Sequence, residues 1–203
     1  MSRGKFITLE GIDGAGKSTQ LGSVARILRE QGKDVVVTRE PGGTGLGEKL
    51  RELLLSQAMH IETETLLMFA ARQEHIAEVI EPALSAGRWV ISDRFTDATY
   101  AYQGAGRGLA NDRLAVLERW VQGDLRPDLT IVVDVPVGLA ASRIASLRTD
   151  RFEKEDPEFF ARVRQAYLER AALEPRRVRV VDGSKPLPIL HKEVEELLKS
   201  ICY

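Results

Sequence analysis

Gly11-Ile12-Asp13-Gly14-Ala15-Gly16-Lys17-Ser18 fills the pattern G-x-x-x-x-G-K-[ST], and its surroundings decide the fold. A short apolar, β-rich run at residues 6–9 precedes it. After it, residues 18–30 repeat apolar side chains at helical spacing through Leu21, Val24, Ala25 and Leu28. Strand, glycine loop and helix in that order make a cradle for phosphate. The glycines let successive N–H groups turn inward, and the helix presents its positive end. Lys17 is placed to reach the β- and γ-phosphates and Ser18 to ligate Mg²⁺, so the loop predicts a nucleoside triphosphate bound with magnesium.

Outward from the loop, residues 34–38 (DVVVT) predict a second strand, and a helix carrying Leu50, Leu53 and Leu54 follows the glycines of residues 41–47. Residues 62–86 predict one long helix closing at Gly87. Further strands are expected at residues 89–92, 130–135 and 179–181. Helices are expected at residues 137–147, 157–174 and 188–201, with a polar, hinge-like stretch at residues 148–156. Short strands apolar on both faces and separated by helices predict an α/β, three-layer domain of the P-loop NTPase type. Its five-stranded parallel sheet would be covered by helices on both sides. A length of 203 residues fits one such domain, without internal repeats or low-complexity segments.

Composition narrows the partners. With 29 Lys+Arg against 30 Asp+Glu the net charge is −1, which disfavours a nucleic acid polymer or an anionic membrane surface. The basic residues are 21 Arg and only 8 Lys, and the guanidinium fork suits small phosphorylated ligands. One cysteine, Cys202, allows neither an internal disulfide nor a thiolate metal site, and fits a reducing compartment. No apolar run reaches membrane-spanning length, and residues 1–5 lead straight into the first strand. The expectation is a soluble, unprocessed, cytoplasmic protein. His60, His75 and His191 form no metal spacing and read as ordinary surface or interface residues.

A phosphate cradle alone serves switches, motors and kinases. The chain's one asparagine, Asn111, is followed by Asp112 and Arg113, not by the Asn-Lys-x-Asp segment that reads guanine. At the end of the third strand, Ser92-Asp93-Arg94 sets a cation beside the acid, which suits an anionic acceptor better than water. Arg39-Glu40-Pro41-Gly42-Gly43-Thr44 ends the second strand, and Arg72 lies on the long helix. In a parallel sheet, strand ends of this kind gather on the carboxyl side with the phosphate loop. A phosphotransferase is the better reading, with a regulatory P-loop ATPase as the alternative.

The segments GIDGAGKST (11–19), TREPGGT (38–44), LLMFAAR (66–72), SDRFTDATYAYQGAGRG (92–108), GDLRPDLTIVVDV (123–135) and DRFEKE (150–155) together resemble bacterial thymidylate kinases. The resemblance covers nearly the whole chain. It implies transfer of the ATP γ-phosphoryl group to dTMP, giving dTDP in dTTP biosynthesis, with Mg²⁺ and as a homodimer. It further implies that Gly11, Ile12, Asp13, Gly14, Ala15, Gly16, Lys17, Ser18 and Thr19 hold ATP and that Asp13 also meets the acceptor's 3′-hydroxyl. By the same resemblance Arg94 holds the acceptor phosphate and the transferring group, while Asp93 and Glu40 surround the metal held by Ser18. Arg39, Glu40, Arg51, Arg72 and Thr99 fall on the acceptor side, with Arg72 and Thr99 reading the thymine edge. Tyr102, followed by Gln103, would crowd C2′. The family places a phenylalanine four residues before the arginine that matches Arg72. Here that position is Met68, with Phe69 next, and both are candidates to cover the base. Residues 148–156 resemble a mobile lid whose Arg151 and Arg148, helped by Arg143, stabilise charge on the transferring group.

Overall fold

The computed structural model describes residues 3–144 and 151–202. Five parallel strands, β1 (Phe6–Glu10), β2 (Val35–Arg39), β3 (Trp89–Asp93), β4 (Leu129–Asp134) and β5 (Val178–Asp182), form one sheet in the order β2-β3-β1-β4-β5. The central strand β1 is buried along its whole length, since both faces are covered, and Phe6, Ile7 and Leu9 supply its apolar part. Inside it, Thr8 spends its hydroxyl on Thr130 Oγ1 of β4 at 2.8 Å, so even this polar residue is satisfied in the core.

Connections follow from the strand order. From β1 the chain runs through α1 (Lys17–Glu30) to β2 at one edge. It returns through α2 (Gly45–Ser56), α3 (Ile61–His75) and α4 (Glu81–Ser85) to β3. It then passes through α5 (Thr96–Thr99) and α6 (Asn111–Gln122) to β4, and through α7 (Val137–Ile144) and α8 (Pro157–Leu173) to β5. The helix α9 (Leu187–Cys202) closes against α1. Right-handed crossovers send the first connection and the later ones to opposite faces, giving the expected three layers.

Two departures from the sequence expectation shape the site. The long helix is not uniform, because residues 76–80 form a π-helical turn between α3 and α4. Pro82, in the first turn of α4, has no N–H to return to the carbonyl four residues earlier, so the ladder widens there. Gly87, at φ 78°, ends that run as expected. In addition, the periodicity assigns no element between β3 and β4, yet α5, a second π-helical turn at residues 100–106 and α6 lie there. The glycines at 104, 106 and 108 mask the helical pattern. Gly106 is required because a Cβ there would stand 2.6 Å from the Phe159 ring of α8.

Candidate active site

The loop after β1 is built as its glycines demand. Gly14 has φ 82°, and a Cβ on it would lie 2.2 Å from the Ala140 carbonyl oxygen. No side chain caps the start of α1, which leaves its first N–H groups to the loop's interior. Lys17 is buried and donates to the carbonyl oxygens of Gly11 and Ile12, each at 3.1 Å. Burial, then the nearby Arg94, lowers the Lys17 pKa, while Asp13, Asp93 and Glu10 pull the other way. Arg143 of α7 clasps the loop from outside, donating to the Gly14 and Ala15 carbonyls and, at 3.0 Å, to Gly183.

Two cavities meet at this loop. The first, with about 920 Å³ of open space, is bordered by Gly14, Gly16, Lys17, Ser18, Thr19, Arg39, Asp93 and Arg143. The second, about 630 Å³, is bordered by Pro41, Leu55, Met68, Arg72, Phe95, Ala98, Thr99, Tyr102, Gln103 and Phe152. Asp13, Glu40, Arg51 and Arg94 border both and so stand at the junction. Ile12 and Ala15 sit beneath the loop in the core.

Arg94 occupies that junction in a left-handed backbone conformation, φ 72°, which costs a non-glycine residue about 1–2 kcal/mol and needs strong surroundings to persist. Its Nη1 donates to Gly11 O at 2.9 Å and Tyr167 Oη at 3.0 Å, and its Nη2 donates to Asp13 Oδ1 at 2.7 Å and Tyr102 Oη at 3.0 Å. The guanidinium also lies over the Tyr102 ring, 4.7 Å from its centroid. Burial alone would raise the Asp13 carboxyl, but Arg94, Lys17 and the bonds from Arg94 and Tyr102 outweigh it and bring the group to about 2. Asp13 is therefore an anion throughout the working range.

In the second cavity, Arg72 is fixed by Glu40 and Thr99. Its Nε donates to Glu40 Oε2 at 2.7 Å and its Nη2 to Thr99 Oγ1 at 2.9 Å. Its Nη1 is buried and without a partner. The guanidinium stacks on Phe69 at 4.8 Å and Phe95 at 5.0 Å. Phe69 is thus a core ring beneath Arg72 and does not border the cavity, whereas half-buried Met68 does. One residue's rotation around α3 separates the two fates.

His75 corrects the expectation of a surface histidine. It is fully buried, its Nδ1 donates to Glu40 Oε1 at 2.9 Å, and its Nε2 shares a 2.6 Å bond with Thr38 Oγ1. The signal was its place one helical turn after Arg72. Both oxygens of Glu40 are therefore engaged inside the protein, while the residue still borders the cavity of Ser18 and Asp93. Burial pushes the Glu40 carboxyl up, yet Arg72 and the His75 bond overcome it and hold the group below its usual value.

Arg51 donates to Pro41 O at 2.9 Å, and Arg39 pairs with Glu48 at 2.8 Å on an exposed edge. Burial, then the neighbouring Arg39, lowers the Arg51 pKa, the mark of cations crowded around a place for an anion. Asp93 has a buried Oδ1 without a partner and borders the first cavity together with Ser18.

The lid expectation is revised by what Arg151 touches. It does not border the phosphate cavity. Its backbone N–H donates to Leu55 O at 3.2 Å, its Nε to Leu54 O, and its Nη2 meets Glu64 Oε2 at 2.6 Å. Glu64 accepts from Gln103 Nε2 at 2.8 Å and Arg107 Nε at 3.1 Å through its other oxygen, so this buried acid takes two hydrogen bonds and an ion pair. Phe152, part of the DRFEKE segment but given no role there, lies against Tyr102, ring centroids 6.1 Å apart. Arg148 lies outside the described residues. Also missed were Glu10 and Tyr167: the Tyr167 hydroxyl donates to Glu10 Oε2 at 2.8 Å.

With this geometry in view, comparison with known proteins is direct. A family model described as thymidylate kinase matches residues 9–194. The thymidylate kinase of Methylobacillus flagellatus is 59% identical over 198 residues, covering 97% of this chain and 98% of that protein. That of Cupriavidus taiwanensis is 61% identical over 202 residues, covering 98% and 100%. The crystal structure of thymidylate kinase from Ehrlichia chaffeensis superposes with a TM-score of 0.79 at 37% identity, covering 97% of this chain and 99% of that one.

Proposed function

We propose a division of labour for the residues above from the premise that the chain belongs to the thymidylate kinase family and phosphorylates dTMP, with ATP as donor, in dTTP synthesis. The observation that carries it is the junction: two cavities, one built on the phosphate loop, share Asp13, Arg51 and Arg94. ATP phosphates belong on the loop amides and Lys17, with Thr19 and Arg143 beside them. dTMP belongs in the second cavity with its phosphate toward Arg94 and Arg51 and, at the rim, Arg39.

The unpartnered Arg72 Nη1 suits a thymine carbonyl, since a buried donor left unmet costs about 1–3 kcal/mol. Thr99 and Gln103 border the same cavity, and Met68 offers its polarisable thioether to the base. The Tyr102 ring crowds the sugar, while Asp13, held ionised, accepts from the 3′-hydroxyl. An acceptor phosphate oxygen attacks the γ-phosphorus, the new P–O bond forms, and the bond to the β–γ bridging oxygen breaks to release ADP. The acceptor phosphate is already a nucleophile at neutral pH, so positioning and charge suffice.

Magnesium fits the donor set, because the orphaned Asp93 Oδ1 and the Ser18 hydroxyl border one cavity. Among the described residues no cluster of three His, Cys, Asp or Glu could hold a metal unaided, which suits an ion that keeps waters and leans on substrate phosphates. When bound, it supplies charge neutralisation at the transferring and leaving phosphates.

The chain is read as one catalytic domain acting as a homodimer. Leu53 on α2, Leu66 on α3, and Val116 and Trp120 on α6 are 40%, 53%, 54% and 80% exposed, and α3 packs against both α2 and α6. No helix among the described residues is long and apolar enough to cross a membrane, and a cytoplasmic site of action is proposed. The test is ADP release with ATP and Mg²⁺ while dTMP, dUMP, dGMP, dAMP and dCMP are offered in parallel. A clear preference for dTMP is expected, and turnover indifferent to the acceptor refutes the reading.

A further inference from the structure

Glu10 ends the central strand as a carboxyl group with no exposed surface, and it borders neither cavity. Such a group inside a sheet is costly unless its oxygens are used. Both are used, and both uses converge on Arg94. Oε1 accepts from Phe95 N–H at 2.7 Å, the peptide immediately after Arg94. Oε2 accepts from the Tyr167 hydroxyl at 2.8 Å, and that same hydroxyl oxygen takes the Arg94 Nη1 bond at 3.0 Å. One side chain therefore braces the residue at two points, its backbone and its guanidinium.

The backbone brace answers a specific need. Arg94 is the one non-glycine residue at positive φ among the described residues, and such a conformation lasts only where neighbours over-determine it. Arg94 N–H donates to Leu9 O at 2.9 Å, and Ser92 Oγ donates to Arg94 O at 2.7 Å. The Phe95 N–H bond to Glu10 completes the set. Tyr167 sits on α8, so the brace also ties the helix that follows the lid stretch to the sheet's centre.

We propose that Glu10 is a positioning residue for phosphoryl transfer, aiming Arg94 by holding the peptide after it directly and its guanidinium through Tyr167. The inference rests on the kinase reading given above. Gly11 O, Asp13 and Tyr102 keep Arg94 in the site without Glu10, so loss of the brace alters aim and not presence. Interactions realised only at the transition state then weaken, which lowers kcat with little change in KM.

Four variants of the full chain test it, with kcat and KM measured for ATP and dTMP and folding followed by thermal melts. Glu10→Leu removes both contacts and is expected to lower kcat at least tenfold with either KM within threefold. Glu10→Gln keeps an oxygen for Phe95 N–H and an amide N–H for the Tyr167 oxygen, and is expected to restore kcat to within threefold of the parent. Tyr167→Phe is expected to lower kcat at least threefold. The double variant Glu10→Leu/Tyr167→Phe is expected to be no slower than Glu10→Leu, since the two act in one chain of contacts. A folded Glu10→Leu with parental kcat, a Glu10→Gln as slow as Glu10→Leu, or a fully additive double variant overturns the proposal. Should Glu10→Leu not fold, a parental kcat in Tyr167→Phe overturns it. Failure of the kinase reading shows separately, as absence of dTMP-dependent ADP release by the unmodified enzyme.

Discussion

Replacing Glu40 by leucine isolates the charge that anchors Arg72. The carboxylate is 5% exposed, and it holds a guanidinium 3% exposed and an imidazole with no exposed surface. Two charge-assisted hydrogen bonds are lost, each worth about 1.5–3 kcal/mol, and breaking a buried pair from one side costs about 3–5 kcal/mol. Both routes give a destabilisation near 4 kcal/mol. At about 2–4 °C per kcal/mol for a chain of this size, Tm should fall by roughly 8–16 °C. The cost comes mostly from the stranded guanidinium, so Glu40→Leu combined with Arg72→Met should recover most of the stability. Turnover of dTMP should stay lost in the double variant, because the donor in the cavity is gone. Thermal and urea denaturation of the three proteins, with dTMP kinetics alongside, make the assay. A Tm loss under about 3 °C for Glu40→Leu, or a double variant no more stable than the single, would refute the argument. Because the folded Glu40 carboxyl titrates below its ordinary value, its stabilisation is present at neutral pH and fades as pH falls through that lowered value.

Asp93→Asn should raise the Mg²⁺ concentration for half-maximal turnover at least tenfold, since its orphaned oxygen would no longer be anionic, and a chelator should stop both proteins. Trp120→Glu should make the proposed homodimer monomeric in sedimentation, because Trp120 is the most exposed apolar side chain of α6. Burial, with a push from Asp97, raises the Glu10 carboxyl from 4.5 to about 8 against Arg94, Tyr167 and Phe95 N–H. Between those values the folded state keeps a proton that the unfolded state releases, so Glu10 removes stability as pH rises. Urea melts of Glu10→Gln should therefore gain on the parent by up to roughly 1 kcal/mol per pH unit in that window. A gap independent of pH would contradict this.

Local signals carried most of the fold. The phosphate loop, the strand ends and the cap at Gly87 depend on glycine dihedrals and short-range spacing, and each stands within a residue or two of its expected place. What stayed hidden depends on long separations. His75 joins Glu40 across 35 positions, and Glu64 accepts from Gln103 and Arg107 and pairs with Arg151. Met68 and Phe69 differ only in which way α3 is turned, one bordering the cavity and the other lying under Arg72, and that turn is set by the neighbours α2 and α6, not by the helix's own sequence. Glu10, just past the apolar run at residues 6–9, drew no reading, because its two partners lie 85 and 157 residues away.

These hidden contacts share one logic. Arg94 is held by Asp13, Arg72 by Glu40 and Arg151 by Glu64, each acid on a different element from its cation. A free guanidinium has several rotatable bonds to immobilise before it can hold a phosphate or a base. Pairing it beforehand fixes its plane within the folded protein, so substrate binding no longer has to supply that order. On the proposed reading, Glu40 thus acts on the substrate through the Arg72 it orients. Asp93 keeps a buried oxygen unpartnered, and that free oxygen is what supports its proposed service on the donor side.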